Sequence, residues 1–280
     1  MEHFVIYTNL HKDNNMAVTN RIREYLEGHG KYCVVRVKEM REKPDDFVLP
    51  EETDCMIVLG GDGTMLQAAW DVKKRNIPLI GVNMGTLGYM TEIELSCLEE
   101  SLDRLMEGHF SIENRMMLHG SVLCGDQKIE DWALNDIVIS RSGSLQIIKF
   151  NIFVNGQFLN NYNADGVIIT TPTGSTGYNL SAGGPIVEPK AKLIIITPIC
   201  PHALNQRSII LSPEDVIEIE IPEGREGHDQ LVEVNFDGSH VIPVKTGDRI
   251  RIMRSVKTTD FILMNQVSFL EVLHKKMSES

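Results

Sequence analysis

A short apolar strand followed by a glycine-rich turn constrains this chain more than any other stretch of its sequence. Apolar residues at 55–59 precede the run Gly60-Gly61-Asp62-Gly63-Thr64. From Met65 onward, the apolar residues have the spacing of an amphipathic helix. A strand, a tight turn and a helix in this order bring backbone N–H groups and the positive end of a helix dipole to one place, which suits phosphate. The stretch therefore predicts a phosphate-binding unit.

The turn differs from an ordinary phosphate-binding loop because it contains an acid. Gly60, Gly61 and Gly63 permit the close approach of a ligand and tolerate positive φ. Asp62 repels phosphate unless it holds a metal ion or accepts a proton, and it is therefore the candidate catalytic residue. The lysine of a Walker A loop is absent, so the turn is not that of a P-loop NTPase. The alternative is a glycine-rich turn with no ligand.

The composition is that of a soluble globular protein, with 42% hydrophobic and 24% charged residues. A formal net charge of −12 argues against nucleic acid or an anionic membrane as the main partner. The five cysteines are scattered and never spaced as CxxC, which is typical of the reducing cytoplasm. We expect no signal peptide and no membrane span. The histidines lack HExxH or paired spacing, so we expect no resident metal site.

Strands alternate with helices over residues 1–114, a pattern that predicts a doubly wound, parallel α/β domain. In such a sheet, ligands bind at the carboxyl ends of the strands, where Asp62 and the loop at 83–88 both fall. The predicted strands lie at 4–8, 32–37, 55–59 and 78–83, and the predicted helices follow residues 13, 65 and 96.

The pattern changes in residues 115–263, where nearly every apolar run is strand-like. Asn155-Gly156 lies between two such runs and predicts a tight hairpin. We therefore expect a second, all-β domain that resembles a β-sandwich. The tail at 264–280 has the apolar spacing of a short helix, which we expect to pack back on the first domain.

The second domain contains a long loop that is dense in hydroxyls and glycines. It follows an apolar strand and lies within 165–185, with Tyr178 available for stacking. Such a loop offers donors, acceptors and close backbone approach to a sugar-phosphate ligand, although a hydrophilic connection between strands is the alternative. Upstream, Asn135-Asp136 can hold a vicinal diol or a base edge, or can simply cap a turn. His202 is interpreted as structural.

Together these segments resemble the NAD kinase family, and the resemblance runs in order from about residue 54 to about residue 254. Lipid kinases of the diacylglycerol type share GGDGT but lack the hydroxyl loop followed by SAGGP. The matching segments are GGDGT, GVNMGTLGY, ENRMML, LND, DGVIITTPTGSTGYNLSAGGPIVEP, TPICPHAL and NFDGS.

The resemblance implies an activity and an assembly. The activity is the ATP-dependent phosphorylation of the 2′-hydroxyl of the adenosine ribose of NAD, which gives NADP. Mg²⁺ or another divalent cation accompanies ATP, and the protein is a cytoplasmic homodimer or homotetramer. Two alternatives stay open: a diacylglycerol-type lipid kinase, and a non-catalytic NAD(P)-binding regulator, against which the intact Asp62 counts.

The resemblance also implies roles for particular residues. Asp62 matches the catalytic aspartate of the family, Asn135 and Asp136 match a pair that holds ribose hydroxyls, and Asp165 matches an acid that reads the dinucleotide. Asp136 replaces the commoner Glu, while Asn163 and Ser239 also depart from the pattern, which leaves the choice between NAD and NADH open. The implied nucleotide-binding residues are Gly60, Gly61, Gly63, Thr64, Asn135, Asp136, Asp165, Thr176, Gly177, Tyr178, Asn179, Leu180 and Ser181.

Overall fold

The computed structural model describes residues 1–37, 48–85, 88–143, 147–202, 207–264 and 268–278. Three features named above lie partly outside these ranges: the loop after the strand at 78–83, the TPICPHAL turn, and the start of the tail. The strands are β1 (His3–Thr8), β2 (Tyr32–Val37), β3 (Cys55–Gly60), β4 (Leu79–Asn83), β5 (Ser111–Cys124), β6 (Gln127–Ala133), β7 (Asp136–Arg141), β8 (Ile148–Val154), β9 (Gln157–Ala164), β10 (Gly166–Thr170), β11 (Ile194–Ile199), β12 (Ile209–Leu211), β13 (Ile217–Glu220), β14 (Leu231–Phe236), β15 (His240–Lys245) and β16 (Arg249–Leu263). The α-helices are α1 (Ala17–Gly28), α2 (Asp62–Asp71), α3 (Leu98–Glu107), α4 (Tyr178–Ser181) and α5 (Phe269–Ser278).

The chain divides into two compact units. Unit 1 comprises Met1–Asn114 and Thr259–Ser280, and unit 2 comprises Arg115–Thr258. The sequence-based boundary after Leu263 differs from the structural one after Thr258, because β16 contributes residues to both units. None of the helices in the described ranges is long and apolar enough to cross a membrane.

Unit 1 is an α/β unit with a parallel sheet. Its strands lie in the order β2-β1-β3-β4, followed by the end of β16, where Phe261 pairs with Leu79. All the residues of β3 are buried, as expected for a parallel strand covered on both faces. The predicted doubly wound α/β domain is confirmed.

The helix after β3 begins earlier than we predicted. Helix α2 starts at Asp62 rather than at Met65, and Gly61 precedes it in an extended conformation (φ −122°, ψ −168°). An acid in the first turn of a helix interacts favourably with the positive end of the helix dipole, which accounts for the earlier start. Asp62 therefore belongs to the first turn of the helix rather than to the tight turn before it.

Unit 2 is a β-rich unit with two antiparallel sheets. The first has six strands in the order β12-β11-β10-β7-β14-β15. The second contains β16-β13-β8-β9, and β5 pairs with β6 as a further hairpin. Side chains from both sheets form one core cluster that includes Ile137, Phe150 and Phe236. The predicted second domain, built of β-strands that form a sandwich-like core, is confirmed.

Two local predictions in the sequence are also confirmed. Asn155 and Gly156 have positive φ angles of 51° and 76°, and they connect the paired strands β8 and β9. The tail forms helix α5, and it packs back on unit 1 through a contact between the rings of Phe269 and Tyr89.

The ends of three neighbouring strands meet at one end of the six-stranded sheet. Asp136 opens β7 and pairs with Thr170, the last residue of β10, while Phe236 closes β14 beside Ile137. The segments next to these ends therefore lie close together, although they are far apart in the sequence.

Candidate active site

The carboxylate of Asp62 is held by two backbone groups. Its Oδ2 accepts a hydrogen bond from the N–H of Tyr89 at 3.0 Å, and its Oδ1 accepts one from the N–H of Met90 at 3.0 Å. The side chain also stands at the positive end of α2, where a negative charge is favoured. These contacts fix an acid that remains half-buried and has lone pairs available for a ligand.

Gly88 lies against this carboxylate and leaves no space for a side chain. A Cβ atom on Gly88 would lie 2.2 Å from Oδ1 of Asp62 and 3.1 Å from Oγ1 of Thr91. The sequence predicts that the loop at 83–88 lies near the ligand crevice, but it indicates no role for this glycine. The close contact now explains why glycine is needed there.

Gly88→Ala is expected to lower kcat by at least about tenfold, because the added methyl group must push the Asp62 carboxylate aside and a displacement of about 1 Å can cost roughly 100-fold in rate. Gly28→Ala is the control, since a Cβ atom there meets no atom of the described chain within 4 Å. Steady-state kcat and the melting temperature of both variants provide the measurement. A normal kcat in Gly88→Ala would show that the position of Asp62 does not matter.

The glycines of the GGDGT turn do not adopt the positive φ angles that glycine tolerates. None of Gly60, Gly61 and Gly63 has a positive φ. Gly60 is needed for packing, since its Cβ atom would lie 2.3 Å from Oγ1 of Thr64. At Gly61 and Gly63 a Cβ atom would point into open space in the described chain, so both leave the backbone accessible. Thr64 is buried, and its Oγ1 accepts a 3.4 Å hydrogen bond from Asn9, so its side chain packs inside unit 1.

In unit 2, Asp237 holds the backbone of the Asn135-Asp136 segment. Its carboxylate accepts hydrogen bonds from the N–H groups of Leu134 at 2.6 Å, Asn135 at 2.8 Å and Asp136 at 3.0 Å. In return, the N–H of Asp237 donates to the carbonyl of Asp136 at 3.1 Å. The residue that caps this turn is therefore Asp237, and the Asp136 carboxyl is left for another role.

Hydroxyl groups hold the same segment from its carbonyl side. Thr171 donates from Oγ1 to the carbonyl of Leu134 at 2.6 Å, and its N–H donates to the carbonyl of Asn135 at 2.8 Å. Thr170 Oγ1 donates to the same Asn135 carbonyl at 2.9 Å. The backbone that carries Asn135 and Asp136 is thus clamped on both sides, and their side chains have a defined direction.

The side chain of Asn135 has an unsatisfied acceptor. Its Oδ1 atom is buried and has no hydrogen-bond partner within the described residues. A buried acceptor without a partner costs about 1–3 kcal/mol, so a clamped segment that presents one is suited to a ligand that donates a hydrogen bond.

Asp136 and Asp237 form a coupled pair of acids. Burial, followed by the nearby charge of Asp237, raises the pKa of Asp136 to about 7. Burial also raises the pKa of Asp237 to about 6, against the lowering effect of the three N–H donors and with a further rise from Asp131. The protons of such a pair leave in two linked steps, so this part of unit 2 changes its charge near neutral pH.

The hydroxyl loop is ordered by its own side chains. Asn179 is fully buried, its Nδ2 donates to the carbonyls of Ser175 (3.1 Å) and Pro185 (3.0 Å), and its Oδ1 accepts from Thr197 (2.7 Å). The Asn179 side chain, which sequence analysis placed among the nucleotide-binding groups, thus bonds inside the unit. Gly184 allows this packing, since a Cβ atom there would lie 2.1 Å from Oδ1 of Asn179.

Other residues of the loop remain available to a ligand. Tyr178, Leu180 and Ser181 are exposed, while Thr176 and Gly177 are half-buried. A Cβ atom on Gly177 would lie 3.4 Å from Nδ2 of Asn135. The structure thus brings the start of the predicted binding loop next to the Asn135 side chain.

Comparisons with known proteins identify the family. A model described as the ATP-NAD kinase N-terminal domain matches residues 36–110, and one described as the ATP-NAD kinase C-terminal domain matches residues 134–264. The two matches cover more than half of the chain. The chain belongs to the NAD kinase family.

Individual relatives and solved structures agree with this assignment. The chain is 44% identical to the NAD kinase of Lachnospira eligens, over 99% of this chain and 100% of that protein. It is 46% identical to the NAD kinase of Agathobacter rectalis, over 99% of each chain.

Among solved structures, it resembles yeast NADH kinase complexed with NADH, with a TM-score of 0.85 and 25% identity, over 99% of this chain and 88% of that one. It also resembles an NAD kinase from Archaeoglobus fulgidus in complex with ATP, with a TM-score of 0.77 and 27% identity, over 99% of each chain. The predicted family and the predicted NAD kinase activity are confirmed.

Within this NAD kinase family member, Asp165 lies away from the other predicted residues of unit 2. It precedes β10, whose far end at Thr170 pairs with Asp136, so the two acids are separated by roughly 17 Å along the strand. Asp165 instead forms an ion pair with Arg141, with 3.4 Å between Nε and Oδ1. Asp165 belongs to a motif that the sequence shows, whereas Arg141 lies in no such motif.

Asp237 is another residue of the candidate site whose role the sequence did not indicate. Asp237 belongs to the motif NFDGS, in which Ser239 departs from the family pattern. A signal was present in the sequence, since an Asp-Gly pair between two apolar runs predicts a turn whose acid can accept backbone N–H groups. The sequence does not show which N–H groups these are.

Proposed function

We propose that the chain transfers the γ-phosphoryl group of ATP to the 2′-hydroxyl of the adenosine ribose of NAD, with Asp62 as the base that accepts the hydroxyl proton. The observation that carries the proposal is the Asp62 carboxylate, fixed by two N–H groups at the start of a helix in a chain of the NAD kinase family. The yeast relative binds NADH and the Archaeoglobus relative binds ATP, which supports the choice of both substrates.

The chemical step is a displacement at phosphorus. A bond forms between O2′ of the ribose and the γ-phosphorus, the bond from that phosphorus to the bridging oxygen of ADP breaks, and the electron pair leaves with ADP. The proton of the 2′-hydroxyl passes to Asp62. In such a reaction the protein chiefly positions the reacting groups and stabilises the charge that develops on the phosphoryl group. The accessible backbone of Gly61 and Gly63, with the positive end of α2, provides both beside the phosphates.

A divalent cation fits this site as a companion of ATP. Within the described ranges, no group of three or more His, Cys, Asp or Glu side chains is arranged to hold a metal. Mg²⁺ usually keeps several waters and binds to substrate phosphates, so it would be held here chiefly by the phosphates of ATP, which leaves the Asp62 carboxylate as the base. When bound with ATP, such a cation would neutralise charge on the phosphates, and Asp62 orients the acceptor hydroxyl.

The unit 2 residues are assigned to the adenosine end of NAD. The unsatisfied Oδ1 of Asn135 and the carboxylate of Asp136 are acceptors, and ribose hydroxyls are donors. The Asp136 carboxylate makes charge-assisted hydrogen bonds, which are stronger than neutral ones. Tyr178 is exposed and available for stacking, and Gly177 lies beside the Asn135 side chain.

We further propose that the protein works as a homodimer or homotetramer in the cytoplasm. The position of Asp165 is compatible with an oligomer, since it is far from Asp136 along β10 and a second copy of the chain can present its own Asp165 to the same dinucleotide. All five cysteines are free thiols, which suits a reducing compartment. Light scattering of the purified protein tests the oligomer, and a monomer with full activity would contradict it.

A single assay tests the reaction. The protein is incubated with ATP, Mg²⁺ and NAD, and NADP is measured with an NADP-specific dehydrogenase; parallel reactions contain NADH or diacylglycerol. We expect NADP to form and diacylglycerol to remain unchanged. Binding of NAD without formation of NADP would instead identify a non-catalytic regulator.

The KM for NAD is expected to fall about tenfold between pH 6 and pH 8. Burial raises the pKa of Asp136 to about 7, and its ionised form accepts stronger, charge-assisted hydrogen bonds from the ribose hydroxyls, so binding improves as the proton leaves. Asp136→Asn should have a higher KM that changes little over this range. Measurements at saturating ATP and Mg²⁺ at pH 6, 7 and 8 decide the point, and a flat profile in the unaltered protein would contradict the assignment.

Stability provides the control for this titration. The folded-state pKa of Asp136 is raised above its unfolded value, so its stabilising contribution is complete below about pH 4 and lost as the pH rises through about 7. Asp136→Asn removes the buried charge. The difference in melting temperature between Asp136→Asn and the unaltered protein should therefore shift in favour of the variant between pH 5 and pH 8. If the pH dependence of KM persisted in Asp136→Asn, the titrating group would be Asp237, whose pKa burial raises to about 6.

A further inference from the structure

The ring of Tyr89 lies between the Asp62 segment and the C-terminal helix. The backbone N–H of Tyr89 donates to Oδ2 of Asp62. Its ring contacts Phe269, with 5.9 Å between ring centroids and an interplanar angle of 39°, and Nζ of Lys276 lies 4.7 Å from its centroid. One residue therefore connects the proposed base to a helix near the other end of the sequence.

Helix α5 presents one face to this contact. Phe269 and Lys276 are seven residues apart, which places them two turns apart on the same face, and Val272 and Leu273 lie between them. These four side chains are half-buried, whereas Leu270 and Met277 are 70% and 67% exposed. No described residue of α5 is fully buried, so the helix adds little to the core of unit 1.

A second contact holds the other end of the Tyr89 segment. The backbone N–H of Met264 donates to Oε1 of Glu92 at 2.9 Å, and a guanidinium N–H of Arg104 donates to the carbonyl of Met264. The N–H of Glu92 donates in turn to the carbonyl of Gly81 at 2.9 Å. The C-terminal part of the chain thus contacts the segment from Tyr89 to Glu92 at both of its ends.

The Lys276 contact is a cation facing a neutral ring. Burial, and then the negative charge of Asp62, raises the pKa of the Tyr89 hydroxyl above its ordinary value, so the phenol keeps its proton at physiological pH. An ammonium group within about 6 Å of an aromatic face is attracted to the ring. The ring of Tyr89 is therefore contacted by Phe269 through packing and by Lys276 through this attraction.

We propose that helix α5 is a positioning element for Asp62: Phe269 and Lys276 fix the ring of Tyr89, and thereby the two N–H groups that hold the Asp62 carboxylate. This inference rests on the proposed function of Asp62 as the base. Neither Phe269 nor Lys276 acts on the substrate; both act through the segment at 88–90.

Phe269→Ala is expected to lower kcat about tenfold and to leave the KM values for NAD and ATP within about twofold, since a displacement of about 1 Å costs up to roughly 100-fold in rate. Lys276→Met, which keeps the stem and removes the charge, should lower kcat about threefold. Phe269→Tyr and Lys276→Arg keep the ring and the cation, and each should retain most of the activity. Leu270→Ala is the matched control, because Leu270 is exposed on the same helix.

A double variant tests whether the effect passes through Tyr89. In a Tyr89→Ala background, Phe269→Ala should change kcat by less than about twofold, because the ring that it contacts is already gone. Melting temperatures are measured for every variant. If Phe269→Ala does not fold, the kcat values of Lys276→Met and Lys276→Arg test the proposal.

Two results would overturn the proposal: an unchanged kcat in Phe269→Ala and Lys276→Met, or losses of kcat that simply follow the melting temperature and are equally large in Leu270→Ala. Asp62→Asn is assayed in parallel. If Asp62→Asn is inactive while the α5 variants have normal kcat, only this inference fails; if Asp62→Asn is active, the proposed base is wrong whatever α5 does.

Discussion

Asp62→Asn is expected to lower kcat by about 10²–10⁴-fold while the KM for NAD changes little. The substitution keeps the size of the side chain but removes the base that accepts the proton of the 2′-hydroxyl. The loss falls on kcat because the interaction of a base with its proton strengthens in the transition state. Steady-state kinetics with ATP, Mg²⁺ and varied NAD provide the measurement.

The geometry adds one detail to this expectation. Both oxygens of Asp62 accept backbone N–H groups, so an asparagine keeps one of these bonds and turns its own NH₂ toward the other donor. A small loss of stability should accompany the loss of rate. Asp71→Asn is the control, since it makes the same chemical change at the other end of α2. Near-normal kcat in Asp62→Asn would show that Asp62 is not the base and that its role is to start helix α2.

Asp136→Ala is expected to raise the KM for NAD by roughly 10- to 100-fold and to affect the KM for ATP only slightly. Without the carboxylate, ribose hydroxyls in a partly buried site lose their acceptor, which costs about 1–3 kcal/mol, and about 1.4 kcal/mol corresponds to tenfold in affinity. Asp136→Glu should retain most of the activity, since the longer acid keeps a carboxylate that can accept hydrogen bonds from the ribose hydroxyls. Both KM values are measured on one preparation of each variant.

The alternative for Asp136 is a role as a turn cap. In that case Asp136→Ala would lower the melting temperature and leave the KM for NAD unchanged. The structure argues against a cap, because the N–H groups of the segment at 134–136 are bound by Asp237 instead. Asp237→Ala is the matched variant, and we expect it to lower the melting temperature and to raise the KM for NAD together.

Several features of this chain follow from the sequence alone, because they depend on residues that are close in the chain. The buried strand and helix around GGDGT follow from apolar periodicity, and the hairpin at Asn155-Gly156 follows from a pair that tolerates positive φ. The change from alternating strands and helices to strands alone separates an α/β part from a β-rich part. These properties depend on residues that are near one another in the sequence, and all of them are present in the folded structure.

Other features depend on pairs of residues that are distant in the chain, and only the tertiary structure decided them. Asp237 binds the N–H of Asn135 across 102 positions, and the N–H of Tyr89 reaches Asp62 across 27. The strand register of β10 places Asp165 and Asp136 at opposite ends, although both belong to one family motif set. Residue types and their spacing indicate which groups take part in the site. Strand order and register determine which of these groups come into contact, because tertiary packing decides which acceptor a backbone N–H reaches.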